Sequence, residues 1–165
     1  MNLLASSACL SLLVLSSCAD PHDMLREDLA VARAAWQSHG IDSYDIRQEW
    51  LCECLGPYAW VAHVRGGQVE SITLVDIQDL TGEWTDTLAA RAIERAWTVE
   101  EGFAQVEQWI GEAEKVEVSY HESLGYPTVV FIDIVSPIVD EEIYHRLGDL
   151  QVVQPGSGDS PSPPN

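Results

Sequence analysis

At Ser43 the chain switches to a two-residue hydrophobic period, and that switch limits the fold more than any other feature of the sequence. Tyr44, Ile46, Gln48, Trp50, Cys52 and Cys54 share one face of an extended strand, while Asp45, Arg47, Glu49 and Glu53 occupy the other. A strand with one apolar and one charged face belongs to a sheet covered on one side only. The cover precedes it. Leu25, Leu29, Ala32 and Trp36 recur at spacings of four, three and four, which is one stripe of a helix. Asp20-Pro21 supplies a helix start, with a capping acid and a proline in the first turn, and Gly40 supplies the stop.

The same order of elements then recurs. Gly56-Pro57 turns the chain into a strand carrying Tyr58, Trp60, Ala62 and Val64 inward, and Gly66-Gly67 suits a tight hairpin into a third strand over Gln68 to Val75. Residues 77–86 read as a loop, followed by a short helix over Thr87 to Ala96. Thr98-Val99-Glu100-Glu101 is a capping box, and the helix it opens buries Val99, Phe103, Val106, Ile110 and Ala113. Val116-Val118-Tyr120 forms a fourth strand, Thr128 to Ile134 a fifth after the Gly125-Tyr126-Pro127 turn, and Ile143 to Val153 a sixth. The pattern predicts an α+β fold of two αβββ halves, with helices on one face of an antiparallel sheet.

An apolar run closes abruptly at Cys18. Residues 1–17 carry no charge and suit the apolar region of a signal peptide, being too short for a membrane span. Leu15-Ser16-Ser17-Cys18 resembles the bacterial lipobox, which implies cleavage before Cys18 and a diacylglyceryl group on its thiol. The resemblance departs at Met1-Asn2, where no Lys or Arg precedes the apolar run. Each buried methylene of such a lipid contributes about 0.8 kcal/mol, so two or three acyl chains make a durable anchor. The expectation is one domain over residues 18–154, tethered to a membrane outside the cytoplasm, with residues 155–165 as a disordered tail. In a Gram-negative host, Ala19 after the lipidated residue implies the periplasmic face of the outer membrane.

Charge narrows the partners. The chain has 27 acidic and 8 basic residues, a formal charge of −19. Nucleic acid is excluded, because no basic patch is available to neutralise phosphates. An acidic surface keeps an exported protein soluble. The expected partners are the membrane, through the N-terminal lipid, and an envelope protein.

Chemistry has few places to sit. With Cys9 removed and Cys18 acylated, Cys52 and Cys54 are the remaining thiols, and an oxidising compartment favours a disulfide between them. Alternate residues of a flat strand lie near the upper limit of disulfide reach, about 6.8 Å between Cα atoms, so the strand must bend. Three other readings stay open: a soft-metal clip for Cu(I) or Zn(II) with His63 as a weak third ligand, a redox-active pair, and inert thiols. His63 alternates with Ala62 and Val64, which turns it away from the cysteine side. His39 fits a helix C-terminus, His121 a solvated strand end, and His145 a surface or edge position. Asp140-Glu141-Glu142 reads as a hairpin turn, because the spaced acids of a calcium loop are missing. No serine elbow, phosphate loop or paired histidines at helical spacing occur, so no catalytic residue, cofactor or enzymatic activity is expected. Trp36, Trp50, Trp60 and Trp109 fall on inward faces. Trp84 lies in the acidic stretch Thr81-Gly82-Glu83-Trp84-Thr85-Asp86, where it either packs back on the sheet or offers a partner contact.

Several landmarks together resemble a family of small exported bacterial lipoproteins known only as a domain of unknown function. They are Tyr44, Cys52-Glu53-Cys54, Val69, the Thr98-Val99-Glu100-Glu101 helix start, Val116-x-Val118-x-Tyr120, Leu124-Gly125-Tyr126-Pro127 and Asp133. The resemblance covers roughly Trp36 to Val153 and implies export and this fold, but no ligand or activity. The functional expectation is therefore a lipid-anchored, non-enzymatic binding module. The alternative is a metal-handling or thiol-redox lipoprotein using Cys52 and Cys54.

Overall fold

Two helices begin where the sequence places a cap. A computed structural model describes residues 20–51, 59–75, 83–135 and 142–154, with the backbone alone at residues 83 and 84. The leader over residues 1–17, Cys18, the Cys52/Cys54 pair, the Gly56-Pro57 turn, Asp140-Glu141 and the tail over residues 155–165 lie outside those residues. Helix α1 spans Pro21–Ser38: the Asp20 carboxylate accepts from the His22 backbone N–H, and the helix ends at His39. Its stripe meets the core through Leu29, Ala32 and Trp36, with Leu25 half-buried beside them.

The strands β1 (Tyr44–Leu51), β2 (Ala59–Arg65) and β3 (Gln68–Leu74) form the first meander. Gly66 and Gly67 make its hairpin with φ of 56° and 76°, the left-handed pair that a two-residue turn between twisted strands requires. Helix α3 (Val99–Trp109) opens on the complete capping box, in which the Thr98 hydroxyl accepts from the Glu101 N–H and the Glu101 carboxylate accepts from the Thr98 N–H. Strands β4 (Lys115–Tyr120), β5 (Pro127–Asp133) and β6 (Ile143–Val152) form the second meander.

The result is an α+β fold with a six-stranded antiparallel sheet in the order β3-β2-β1-β6-β5-β4. The join pairs the first strand of one meander with the last of the other. The recurrence is thus one of element order: α1 precedes the first three strands, whereas two helices precede the second three.

The extra helix is α2, Glu83–Arg95, and it corrects the loop expected through residue 86. Gly82 and the clustered Thr and acidic residues look like loop composition. Yet acids in a first turn stabilise a helix N-terminus, and Ala92 buries fully against the core to hold the helix in place. Trp84 accordingly belongs to the first turn of α2.

The core lies between the sheet and its helices, with Trp36, Trp60, Tyr44, Phe103, Ile46 and Ile132 among its largest fully buried side chains. All five residues expected on the buried side of the α3 segment are there. Trp36 meets Tyr44 and Tyr126 edge-on, at 5.6 and 6.2 Å between ring centroids.

Candidate functional site

The landmark residues turn out to be knots of the fold. The Tyr44 hydroxyl accepts the Val99 N–H at 2.8 Å, tying the first strand to the start of α3. Burial raises the Tyr44 phenol well above its ordinary range, so it stays protonated. Gly125 has φ +79°, and a Cβ there would fall 2.4 Å from the Ala32 carbonyl, so only glycine lets this turn touch α1. Next to it, Tyr126 is buried, and that burial raises its phenol above the ordinary range. His121, read from the sequence as a solvated strand end, organises the same turn: Nδ1 accepts from Ser123 and Leu124, and the ring stacks on Tyr126 at 4.8 Å.

The two faces of the sheet differ sharply. On the uncovered face, Asp45 accepts from His63 Nδ1 and pairs with Arg65, both at 2.9 Å, while His63 Nε2 meets the Thr73 hydroxyl at 2.8 Å. Partial burial of Asp45 works against its charge, but the His63 and Arg65 hydrogen bonds outweigh it and hold the carboxyl below its usual range. The Asp–His–Thr order is that of a proton relay. Thr73 is exposed, however, and the chain braces three neighbouring strands. A metal at His63 would have to displace either the Asp45 or the Thr73 bond.

Further along this face, Arg47 pairs with Glu49 at 3.1 Å, and Arg146 lies 4.0 Å from Glu49. Arg146 also sits over the Tyr144 ring at 5.3 Å and Lys115 over Phe131 at 5.4 Å. Strand register aligns Leu51, Tyr144, Phe131 and Glu117 in one row. Leu51 is 43% exposed. Beside the row, Arg47, Glu49, Thr128, Arg146 and Asp149 line a depression of about 260 Å³. Asp149 has φ 51°, the one positive value at a non-glycine residue among those described, where β6 bulges opposite β1 between Asp45 and Arg47.

The covered face holds a feature that sequence reasoning misplaced. His145, expected at the surface or an edge, is fully buried. The strand β6 is central, flanked by β1 and β5, and Ile143, His145 and Leu147 alternate inward under the helices. That alternation was the available signal; the polar character of histidine masked it. The imidazole lies 5.3 Å from the Trp50 ring, 5.9 Å from Trp60 and 4.1 Å from Trp97. Neither ring nitrogen has a hydrogen-bond partner among the described residues. Burial alone pushes the group down to about 3, so it is neutral at physiological pH.

Gln48, also fully buried, closes the cage. Its Oε1 accepts from the Trp97 N–H at 3.0 Å and from Trp60 Nε1 at 3.2 Å, while Nε2 donates to the Trp97 carbonyl. One amide thus satisfies both backbone groups of Trp97, which lies in the link between α2 and α3.

Among the described residues no group of three or more His, Cys, Asp or Glu side chains is placed to hold a metal, and no helix is long and apolar enough to cross a membrane. Leu51, directly before Cys52, pairs with Tyr144, the neighbour of His145. The cysteines themselves lie outside the described residues, as does the Trp84 side chain.

These features define a small α+β domain with an aromatic, largely buried face under its helices and an ion-paired, open face. Residues 28–152 match the model of DUF6174, a family of unknown function, and the chain belongs to that family. Neither a curated protein nor a solved structure matches it.

Proposed function

We propose that the protein is a lipid-anchored, non-enzymatic binding module of the cell envelope, held through acylated Cys18, whose uncovered sheet face receives another envelope protein. One observation carries the reading. A chain of charge −19 with only 8 basic residues places four of them, Arg47, Arg65, Lys115 and Arg146, on the face that no helix covers. Two of them, Arg146 and Lys115, sit over the Tyr144 and Phe131 rings of the row that Leu51 shares. Aromatic and arginine side chains dominate the binding energy of protein interfaces. The acidic partners of the four basic residues, Asp45, Glu49 and Glu117, lie on the same face, so it is nearly balanced in charge where the chain as a whole is strongly acidic. An acidic partner meets less repulsion there.

The test is capture of partners from solubilised membranes by the acylated full chain, beside a Phe131→Ala/Arg146→Ala variant. Loss of a specific protein by tenfold or more in the variant supports the surface. An identical set of captured proteins sinks it. A Trp84→Ala arm decides whether the first turn of α2 contributes, and intact mass of the mature chain decides the anchor.

A further inference from the structure

A neutral imidazole has one N–H donor and one acceptor, and water satisfies both in an unfolded chain. In the native fold His145 gives up both partners among the described residues and takes three tryptophan rings instead. The imidazolium form is far less tolerable there, because a charge without a counter-ion is the costliest thing to bury.

Among the described residues the surroundings bring no such counter-ion. Gln48 and Trp50 face His145 from β1, Trp60 from β2, Val130 from β5 and Trp97 from the α2–α3 link. The titratable and charged residues of those strands, Asp45, Arg47 and Glu49 on β1, His63 and Arg65 on β2 and Asp133 on β5, alternate to the open face. From the link and α3, Glu101 is spent on the Thr98 N–H and Glu100 on Trp36 Nε1. Arg95, from the last turn of α2, lies 5.7 Å from the Trp50 ring, and a second cation there opposes protonation further.

The cage also has a movable wall. Trp60 is fully buried, but Trp50 and Trp97 are only partly buried and border solvent. The Trp97 backbone is attached to the sheet through the Gln48 amide.

We propose that this cage is a proton-operated latch: uptake of one proton by His145 parts the Trp50–Trp97 wall, breaks the Gln48 clamp and releases the α2–α3 link from the sheet. The closed form has the depressed pKa, about 3, and the open form the ordinary one near 6.5. The closed form therefore binds fewer protons, is favoured above pH 6.5 and loses ground as pH falls. Between the two values each pH unit moves the balance by up to about tenfold toward the open form.

The test is amide hydrogen exchange on the full chain from pH 7 to pH 4, corrected for intrinsic chemistry, with far-UV circular dichroism as the monitor of global fold. The latch predicts that protection of the Trp50, Trp97 and His145 amides falls by tenfold or more over this range. Amides of α1 and β4 keep theirs. In a His145→Leu variant the pH dependence at these three positions disappears. Equal protection of the cage amides at both ends of the range overturns the proposal, as does an unchanged pH dependence in the variant. If the variant does not fold, nitrogen-15 NMR of the imidazole in the unmodified protein decides: an imidazolium forming near pH 6.5 with the tryptophan signals unmoved overturns it, and charge appearing only as those signals shift supports it.

Discussion

Successive residues of β1 face two different solvents. Tyr44, Ile46, Gln48 and Trp50 stand under the helices, while Asp45, Arg47 and Glu49 stand on the open face. On the open face polar groups pair cheaply with one another and with water. No single partner matters much there, because exposed ion pairs typically contribute about 0.2–1 kcal/mol. Under the helices a polar group is either fully satisfied, as Gln48 is, or a liability, as His145 is. The difference teaches that the same strand can hold a durable knot and an adjustable surface one residue apart.

Three substitutions within this one strand sharpen the contrast. The largest effect is expected for Gln48→Leu, which strands the Trp97 N–H, the Trp97 carbonyl and Trp60 Nε1 together. Its cost should be about 3 kcal/mol or more, read as a lowered urea midpoint, since each abandoned buried group costs roughly 1–3 kcal/mol. Tyr44→Phe comes next: it keeps the ring packing on Trp36 but leaves the Val99 N–H without its acceptor. About 1–2 kcal/mol of stability should be lost in the same measurement. Asp45→Asn removes a carboxylate whose ion pairs are about a third exposed, and its effect should stay under about 1 kcal/mol. A Gln48→Leu variant no less stable than Asp45→Asn would erase the distinction between the faces.

The landmarks and the site were legible to different degrees. The capping box, the double-glycine hairpin and the buried stripes of α1 and α3 are local matters of spacing and backbone freedom, and they appear where the sequence places them. Trp84 was obscured because composition over residues 81–86 resembles a loop, while the helix depends on Ala92 docking several residues later. His145 was obscured because nothing within β6 states that both of its edges are occupied.

What the sequence determines by itself is therefore the alternation, the caps and the turns, since each is decided by neighbours within a few residues. Only the tertiary structure decides that β1 lies beside β6, and with it that Trp50 meets His145 and that Arg146 approaches Glu49. Burial and charge pairing are properties of strands brought together from about a hundred residues apart in sequence. No local pattern encodes which strand will be central, and centrality is what turned a surface-looking histidine into a fully buried imidazole without a hydrogen-bond partner among the described residues.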